Sequence, residues 1–284
     1  MSYENGDKYI GEWKNDKREG KGKIIYKDKS EFNGEWKENI EFKGKGKIIK
    51  EIGIYEGEYD NYQFNGNGKI IYKEGNIYEG EFKNNLKHGE GILKYKNGNV
   101  FKGKWIDDKE YEGSGFIYYD TGYIYEGEIK EGKKNGKGII CYSNGDKFEG
   151  EFKEGKKEGN AIMNYENGDK YDGEYKNDVK EGDGIFYYKN GDVYDGEYKN
   201  DKKEGKGIMS YNNGDKYIGK WKNDKREGKG KMIYKDRKDK FIGEWENDIE
   251  KNGEGLIIFS NNDHGIYKGK IINSKREGKG IMNY

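Results

Sequence analysis

The chain has 284 residues, of which 39 % are charged and 31 % are hydrophobic. Its 55 basic and 55 acidic side chains cancel, so the net charge gives no reason to expect nucleic-acid or membrane binding. A chain this polar would normally be disordered, but 27 tyrosines, 47 glycines and the absence of proline favour ordered β-structure, since continuous sheet needs its backbone donors. The single cysteine excludes an internal disulfide framework and indicates a reducing, cytoplasmic location. We expect neither a signal peptide nor a membrane-spanning helix, because no apolar run is long enough.

A unit of about 23 residues repeats along the chain. The fourth unit reads YEGEFKNNLKHGEGILKYKNGNV. The period predicts one continuous array over residues 1–284, with a half unit at 1–8 and a last unit at 267–284. An aromatic residue followed two positions later by glycine marks each unit and recurs in steps of 23 to 26 residues, at Tyr9, Phe32, Tyr55, Tyr78, Phe101, Tyr125, Phe148, Tyr171, Tyr194, Tyr217, Phe241 and Tyr267.

Each unit contains two strand-like runs, which in the first unit are residues 9–13 and 22–26. Strand alternation places the aromatic residues of both runs on one face if the loop between them has an even length. A four-residue loop at 16–19 satisfies this and predicts large side chains opposite glycines. The predicted cross-strand pairs are Tyr9–Tyr26, Gly11–Ile24 and Trp13–Gly22.

The same register predicts ion pairs on the opposite face. It places Glu12 opposite Lys23, and Glu58 opposite Lys69. Exposed pairs of this kind stabilise a protein by roughly 0.2–1 kcal/mol each. We therefore interpret the glutamate that recurs in almost every unit as a structural residue rather than a catalytic one.

The connection from one unit to the next, residues 95–101 in the fourth unit, is compatible with two turns. A two-residue Asn97-Gly98 turn would send Phe101 to the opposite face. A three-residue loop with a left-handed Gly98 keeps the aromatic residues together, and we favour it. It predicts the pairs Leu93–Phe101 and Gly91–Gly103, and left-handed glycines at Gly145, Gly168, Gly191 and Gly214.

These elements predict an all-β fold, an elongated and open-sided antiparallel β-meander of about twelve hairpin repeats and roughly 24 strands. Three departures from the pattern stand out. The second, fifth and eleventh units carry one extra residue, which we place in the loop. Ala161 replaces the second glycine of its unit, and Lys50 stands where other units have an aromatic residue.

The unit Y-x-G-E-W-x6-G-x-G, read from Tyr9 to Gly22, closely resembles the MORN (membrane occupation and recognition nexus) repeat. The resemblance covers essentially the whole chain. It implies an open-sided β-meander, frequent self-association, and scaffolding at membranes or cytoskeletal structures. It also implies binding to phosphoinositides.

Catalysis needs converging groups, whereas the polar residues of this chain are spread periodically. The two histidines, His88 and His264, lie far apart in predicted loops, and Cys141 has no predicted partner. Gly-x-Gly recurs without a following helix, so we do not interpret it as a dinucleotide site. We expect no enzyme activity, no catalytic residue, no metal and no cofactor.

Two surfaces are candidates for binding. The first is the aromatic face, part of which we expect to stay exposed because no second layer covers a single sheet. This candidate partner groove for a helix or peptide comprises Tyr9, Trp13, Trp36, Tyr59, Phe82, Trp105, Phe152, Tyr171, Tyr175, Trp221 and Trp245.

The second surface is a ladder of paired bases, which stacking would align along one edge at intervals of about 10 Å. It could meet anionic lipid, although nearby acidic residues dilute its charge and a solvated edge is the plainer interpretation. The candidate anionic-lipid edge comprises Lys17, Arg18, Lys133, Lys134, Lys156, Lys157, Lys202, Lys203, Lys225, Arg226, Lys275 and Arg276.

The uncapped last strand, residues 281–284, predicts a homodimer through that edge. The function that these features favour is a non-enzymatic scaffold that binds proteins at membrane-proximal or cytoskeletal structures. The alternative is a phosphoinositide-binding module that targets membranes through the basic edge. No nucleic-acid partner is expected.

Overall fold

The computed structural model describes residues 2–235, 240–258, 266–272 and 275–283. They form 24 β-strands within two compact halves, the N-terminal half Met1–Gly138 and the C-terminal half Ile139–Tyr284. The strands are β1 Lys8–Lys14, β2 Lys17–Ile25, β3 Glu31–Lys37, β4 Ile40–Lys50, β5 Gly53–Asp60, β6 Gln63–Tyr72, β7 Ile77–Lys83, β8 Leu86–Lys94, β9 Val100–Ile106, β10 Lys109–Tyr118, β11 Ile124–Lys130, β12 Lys133–Cys141, β13 Lys147–Lys153, β14 Lys156–Asn164, β15 Lys170–Lys176, β16 Val179–Tyr187, β17 Val193–Lys199, β18 Lys202–Ser210, β19 Lys216–Lys222, β20 Lys225–Ile233, β21 Lys240–Glu246, β22 Ile249–Ile258, β23 Ile266–Ile272 and β24 Lys275–Asn283.

Within each half, every strand pairs antiparallel with its neighbour in the sequence. This confirms the all-β class, the meander order and the repeat of about twelve hairpins. The continuity of the array over all 284 residues stays a prediction.

The turn within each hairpin differs from the one predicted. The first hairpin turns through two residues, Asn15 and Asp16, whose φ values of 48° and 61° are left-handed. Asparagine and aspartate tolerate this conformation better than other residues with a side chain, and such two-residue turns match the twist of a hairpin. The predicted four-residue loop at 16–19 is therefore wrong.

The cross-strand register is correspondingly different. Tyr9 pairs with Ile24, Gly11 with Gly22, and Trp13 with Arg18, so none of the three predicted pairs occurs. The register shifts by a bulge between Gly11 and Trp13. The parity argument failed because a bulge absorbs residues inside a strand, where it leaves the loop length free.

The bulge also explains the recurring glutamate. Lys23 pairs with Ile10 rather than with Glu12, and Lys69 pairs with Glu56 rather than with Glu58, so both predicted ion pairs are wrong. The glutamate carboxylate instead turns back onto the bulge. In the sixth hairpin it accepts the backbone N–H of Lys137 at 3.0 Å, and in the ninth that of Lys206, also at 3.0 Å. The glutamate therefore satisfies a backbone donor that the bulge takes out of the ladder.

The connection between hairpins has the predicted geometry. Tyr95 donates its N–H to the Asn99 carbonyl, Gly98 donates to the Tyr95 carbonyl, and Gly98 has a φ of 93°. Leu93 pairs with Phe101 and Gly91 with Gly103, which confirms the three-residue loop. The four later glycines at this position have φ values of 88° to 94°.

The extra residue of the second, fifth and eleventh units does not lengthen the turn. Each of these hairpins still turns through two left-handed residues, at 38–39, 107–108 and 247–248. The additional residue lies in the following strand, since β4, β10 and β22 have 11, 10 and 10 residues, whereas most second strands have nine. The prediction of a longer loop is wrong for these three units.

Candidate functional site: the aromatic face

The core of each half is a layer of aromatic rings lying on one face of the sheet. In the C-terminal half, Tyr171 packs edge-to-face against Tyr175 of its own strand and against Tyr198 of the next hairpin, with centroids 5.4 and 5.2 Å apart. The Tyr171 hydroxyl donates a hydrogen bond to the Glu174 carbonyl at 3.0 Å. Each ring is thus held by its own strand and by the following repeat, which is why a single sheet can bury it.

Each such ring lies over a glycine of the second strand. A Cβ on Gly184 would lie 2.6 Å from Cε2 and 2.7 Å from Cζ of Tyr171, so this position accepts only glycine while the tyrosine remains. Ala161 is tolerated because the ring in its hairpin is Phe148, which lacks the hydroxyl. That ring is also turned, making an angle of 69° with Phe152 instead of the 86° between Tyr171 and Tyr175.

The predicted partner groove is mostly buried. Of its eleven aromatic residues, only Trp13 is exposed, at 42 %. The other ten are at most 5 % exposed, so the expectation that parts of them remain accessible is wrong for them. Neighbouring rings pack against them, and basic side chains lie over several of them, as Arg18 lies over Trp36 and Lys203 over Trp221. The ten buried residues are Tyr9, Trp36, Tyr59, Phe82, Trp105, Phe152, Tyr171, Tyr175, Trp221 and Trp245.

The paired bases do not line one edge together, as had been predicted. The first base of a pair is exposed at the turn, as for Lys156 and Lys202. The second base folds onto the aromatic face and is half-buried there. The exposed first bases are Lys17, Lys133, Lys156, Lys202 and Lys225, and the half-buried second bases are Arg18, Lys134, Lys157, Lys203 and Arg226. In the last described strand Lys275 and Arg276 are both exposed, although the Arg276 guanidinium lies 5.8 Å from the Tyr267 ring centroid.

The second bases are surrounded by rings. The Lys157 ammonium lies 5.3, 4.7 and 5.5 Å from the ring centroids of Tyr142, Phe148 and Tyr175. Lys203 lies 5.4, 5.2 and 4.9 Å from those of Tyr188, Tyr194 and Trp221. Cations over aromatic faces are attracted by the ring quadrupole. One ring of each set belongs to the loop of the preceding repeat, so this contact also joins repeats.

Lys180 occupies the same position in the eighth hairpin, 5.4 Å from the Tyr165 centroid and 5.1 Å from that of Tyr171. Sequence reasoning missed it because Val179 precedes it, so it is not part of a basic pair. Its spacing of 23 residues from both Lys157 and Lys203 was the signal that could have found it. We call these three residues the lysine row, and Lys156, Lys202 and Lys225 the rim lysines.

The cations of the lysine row have no acidic partner in contact. Among the residues that the structure describes, none of the three ammonium groups is within 4 Å of a carboxylate. Burial lowers the pKa of Lys157 and of Lys203. The next base along, Arg226, differs because it forms an ion pair with Asp248 at 3.1 Å. Lys157 and Lys203 are therefore partly desolvated cations, and the neighbouring carboxylates, Asp178 and Asp224, lie beyond ion-pair distance and oppose the shift only in part.

The turns beside the lysine row are locked to one another. Asp201, at φ 66°, donates its N–H to the Lys180 carbonyl at 3.1 Å and accepts the Lys180 N–H on Oδ1 at 2.9 Å. Glu181 accepts the N–H of Asn200 at 3.1 Å. Asp178 and Asp224 make the same bonds to their neighbouring turns. These carboxylates therefore hold backbone, which leaves the ammonium groups to the rings.

Three hairpins exchange the base for a glutamate. Tyr95 donates its hydroxyl to Glu110 at 2.7 Å, and Tyr234 donates to Glu250 at 2.8 Å. Glu41 accepts the corresponding bond from Tyr26. These are the units with the extra residue, so the register change and the charge change occur together.

The third hairpin exchanges the cation and the ring instead. Phe64 occupies the base position, and Lys50 occupies the loop position that an aromatic residue normally takes. The Lys50 ammonium lies 4.8 Å from the Phe64 ring centroid. The contact between successive repeats is thus preserved with its two partners reversed.

The N-terminal half contains a cleft of about 890 Å³ beside the fifth hairpin. Tyr72, Tyr95 and Trp105 line it together with Lys87 and carboxylates. Lys87 occupies its aromatic floor, since its ammonium lies 5.1 Å from the Trp105 centroid and 3.2 Å from the Asp108 carboxylate. The cleft is therefore closed to a second cation at that ring.

The remaining candidate groups are isolated. The His88 Nδ1 lies 3.6 Å from an Asp107 carboxylate oxygen, and Cys141 is exposed. His264 lies outside the described residues. No group of three potential metal ligands occurs within residues 2–235, 240–258, 266–272 and 275–283. In the same ranges no helix has the length and apolarity to cross a membrane.

The fold and this face define a class, the antiparallel β-hairpin repeat proteins. The model of one family, the MORN repeat, matches eight segments at residues 9–31, 55–77, 78–100, 125–147, 148–170, 171–193, 194–216 and 217–237. The chain belongs to the MORN repeat family, which confirms the resemblance. The second, fifth and eleventh units, whose register is altered, lie outside the matched segments.

No curated protein matches the chain significantly in a sequence search. Among solved structures, it is similar to the TCP domain of SAS-4 (dCPAP) from Drosophila melanogaster in complex with a proline-rich motif of Ana2, with 16 % identity, a TM-score of 0.33, and coverage of 62 % of this chain and 90 % of that one. It is also similar to the TCP10 domain of Danio rerio CPAP in complex with a peptide of STIL, with 8 % identity, a TM-score of 0.36, and coverage of 84 % and 94 %. A streptogramin B lyase aligns with 12 % identity, a TM-score of 0.19, and coverage of 85 % and 90 %.

Proposed function

We propose that this chain is a non-enzymatic scaffold that binds proteins through the aromatic face of its C-terminal half, at membrane-proximal or cytoskeletal structures of the cytoplasm. The observation that carries the proposal is the lysine row, in which three partly buried cations lie among aromatic rings without a carboxylate in contact among the described residues. Cations and aromatic rings are the side chains that dominate the energetics of protein interfaces. Membership of the MORN repeat family supports an interaction role.

Site-specific crosslinking in cells tests which face binds. A photoreactive phenylalanine analogue at Tyr188 would lie on the aromatic face, and the same analogue at Lys206 would lie on the other face. We expect protein adducts from the first position only. They should disappear when the lysine row is replaced by methionine, which keeps the aliphatic stems but removes the charges. Adducts that form equally from both positions, or that survive loss of the row, would contradict the proposal.

The alternative is a phosphoinositide-binding module, which the exposure of the rim lysines favours. Each basic residue near an anionic bilayer adds about 1 kcal/mol to binding. Sedimentation with liposomes containing phosphatidylinositol phosphates, at low and physiological salt, tests it. If binding persists at physiological salt and is lost when the rim lysines become serine, lipid targeting replaces protein binding as the leading function.

A homodimer through the last strand is a separate proposal. Among the described strands, β24 pairs with β23, and the edge of a strand can pair with the same edge of a second copy of the chain. Sedimentation velocity over a range of concentrations tests this. A chain that stays monomeric at high micromolar concentration would contradict it.

A further inference from the structure

The lysine row repeats with a fixed period across the C-terminal half. Lys157, Lys180 and Lys203 lie on β14, β16 and β18, which are alternate strands of the antiparallel meander. Neighbouring strands are about 4.8 Å apart, so successive lysines are separated by about 9.6 Å. The row ends at Arg226, whose guanidinium is neutralised by Asp248. A ligand that matches the row must present three negative charges with this period.

The period distinguishes between peptide conformations. A polyproline II helix has three residues per turn and rises about 3.1 Å per residue, so every third side chain recurs on one side after about 9.3 Å. Over two intervals it departs from the row by only about 0.6 Å. An extended strand presents one face every two residues, about 6.8 Å apart, which does not match. An α-helix returns to one face after seven residues and about 10.5 Å, which departs by about 1.8 Å over two intervals.

The surroundings of the row suit such a ligand. The loop tyrosines Tyr165 and Tyr188 are half-buried beside the lysines, and aromatic-lined surfaces dock the preformed polyproline II helix at low entropic cost. The face therefore combines accessible rings with cations.

We infer that the aromatic face of the C-terminal half binds an acidic peptide segment in the polyproline II conformation, with a carboxylate at every third residue over seven residues. The three carboxylates would each approach one ammonium group of the lysine row. This inference rests on the proposed function and names the chemistry of the partner.

Synthetic peptides and the full chain test the inference. The first peptide has glutamate at positions 1, 4 and 7 and proline elsewhere. The second has the same composition with the three glutamates adjacent, and the third has glutamates seven residues apart in a helix-forming sequence. Fluorescence anisotropy at physiological salt measures each affinity. We expect the first peptide to bind about tenfold more tightly than either of the others.

Two matched variants locate the site. Lys180→Met removes the central charge of the row, and Lys202→Met removes an exposed charge at a neighbouring turn. We expect the first variant to weaken binding about tenfold and the second less than about twofold. Circular dichroism of both variants should match that of the natural chain.

Equal affinity for the first two peptides would overturn the inference, because charge alone would then explain binding. Preference for the helical peptide, or equal losses from the two variants, would overturn it as well. If all three peptides fail while Tyr188 still yields face-dependent protein adducts, the peptide chemistry is wrong and the scaffold function stands. If the adducts also fail, the proposed function is wrong.

Discussion

Replacing Gly184 with alanine tests the packing of tyrosine rings on glycine. The new Cβ would lie 2.6 Å from Cε2 of Tyr171, and neighbouring rings confine Tyr171 on both sides. Overpacking of this kind costs about 1–3 kcal/mol. If the ring shifts, the hydrogen bond from Tyr171 to the Glu174 carbonyl is also lost, at about 1 kcal/mol. We expect a local destabilisation of about 2–4 kcal/mol.

The seventh hairpin predicts how the damage can be repaired. There an alanine coexists with a phenylalanine, at Ala161 and Phe148. Tyr171→Phe alone should cost about 1 kcal/mol through the lost hydrogen bond. Combined with Gly184→Ala it should be less harmful than the sum of the single changes, by about 1–2 kcal/mol. The phenylalanine ring can tilt because no hydroxyl ties it to its strand.

Hydrogen exchange of the β15 and β16 amides is the suitable assay, because repeat proteins do not unfold in one step and a global midpoint would average over hairpins. Ala161→Gly is the control, since it creates no clash and should change local stability by less than about 1 kcal/mol. A neutral Gly184→Ala would refute the packing argument. Strict additivity of the double variant would refute the coupling between hydroxyl and glycine.

Three further outcomes are expected. Asp201→Ala should cost about 1–2 kcal/mol near β16, because it removes the acceptor of the Lys180 N–H and places alanine at φ 66°, whereas Asp201→Asn should be nearly neutral, as Asn39 accepts the equivalent bond at 2.8 Å; equal exchange protection in both variants would contradict this. Alkaline pH should destabilise the fold, because burial raises the pKa of Tyr72, Tyr142 and Tyr188 to about 12 while unfolded tyrosine titrates near 10. The contribution of these rings to stability is fully present below pH 10 and falls as the pH rises towards 12, by at most about 1.4 kcal/mol per pH unit for each ring and by less where water screens it. The lowered pKa of Lys157 and of Lys203 acts in the opposite direction, but for only two groups. A thermal midpoint that is unchanged between pH 9 and 11 would show the reasoning to be wrong. Burial and, after it, Glu110 raise the pKa of Tyr95, so Glu110→Gln should weaken the bond from Tyr95 by about 1 kcal/mol and remove only the part of the pKa rise that Glu110 causes, which ultraviolet titration against a Tyr95→Phe control can detect.

Local turn chemistry was readable from the sequence. Gly98 was correctly placed in a left-handed loop because only that conformation keeps Leu93 and Phe101 on one face, and both residues are close in the chain. The turn at Asn15 and Asp16 was read wrongly although it is equally local. The reason is that a bulge at Gly11 changes the register without any change in length or composition.

The arrangement of the aromatic face depended on contacts between repeats. The sequence by itself determined the period, the hairpins and the aromatic layer, because alternation and turn residues act within a few positions. Only the tertiary structure showed that Lys180 belongs with Lys157 and Lys203, and that second bases lie on rings while first bases stay in water. The physical reason is distance along the chain. A cation meets a ring about 15 residues away, as Lys180 meets Tyr165, and the register that joins them is decided by bulges and by hydrogen bonds from turn to turn.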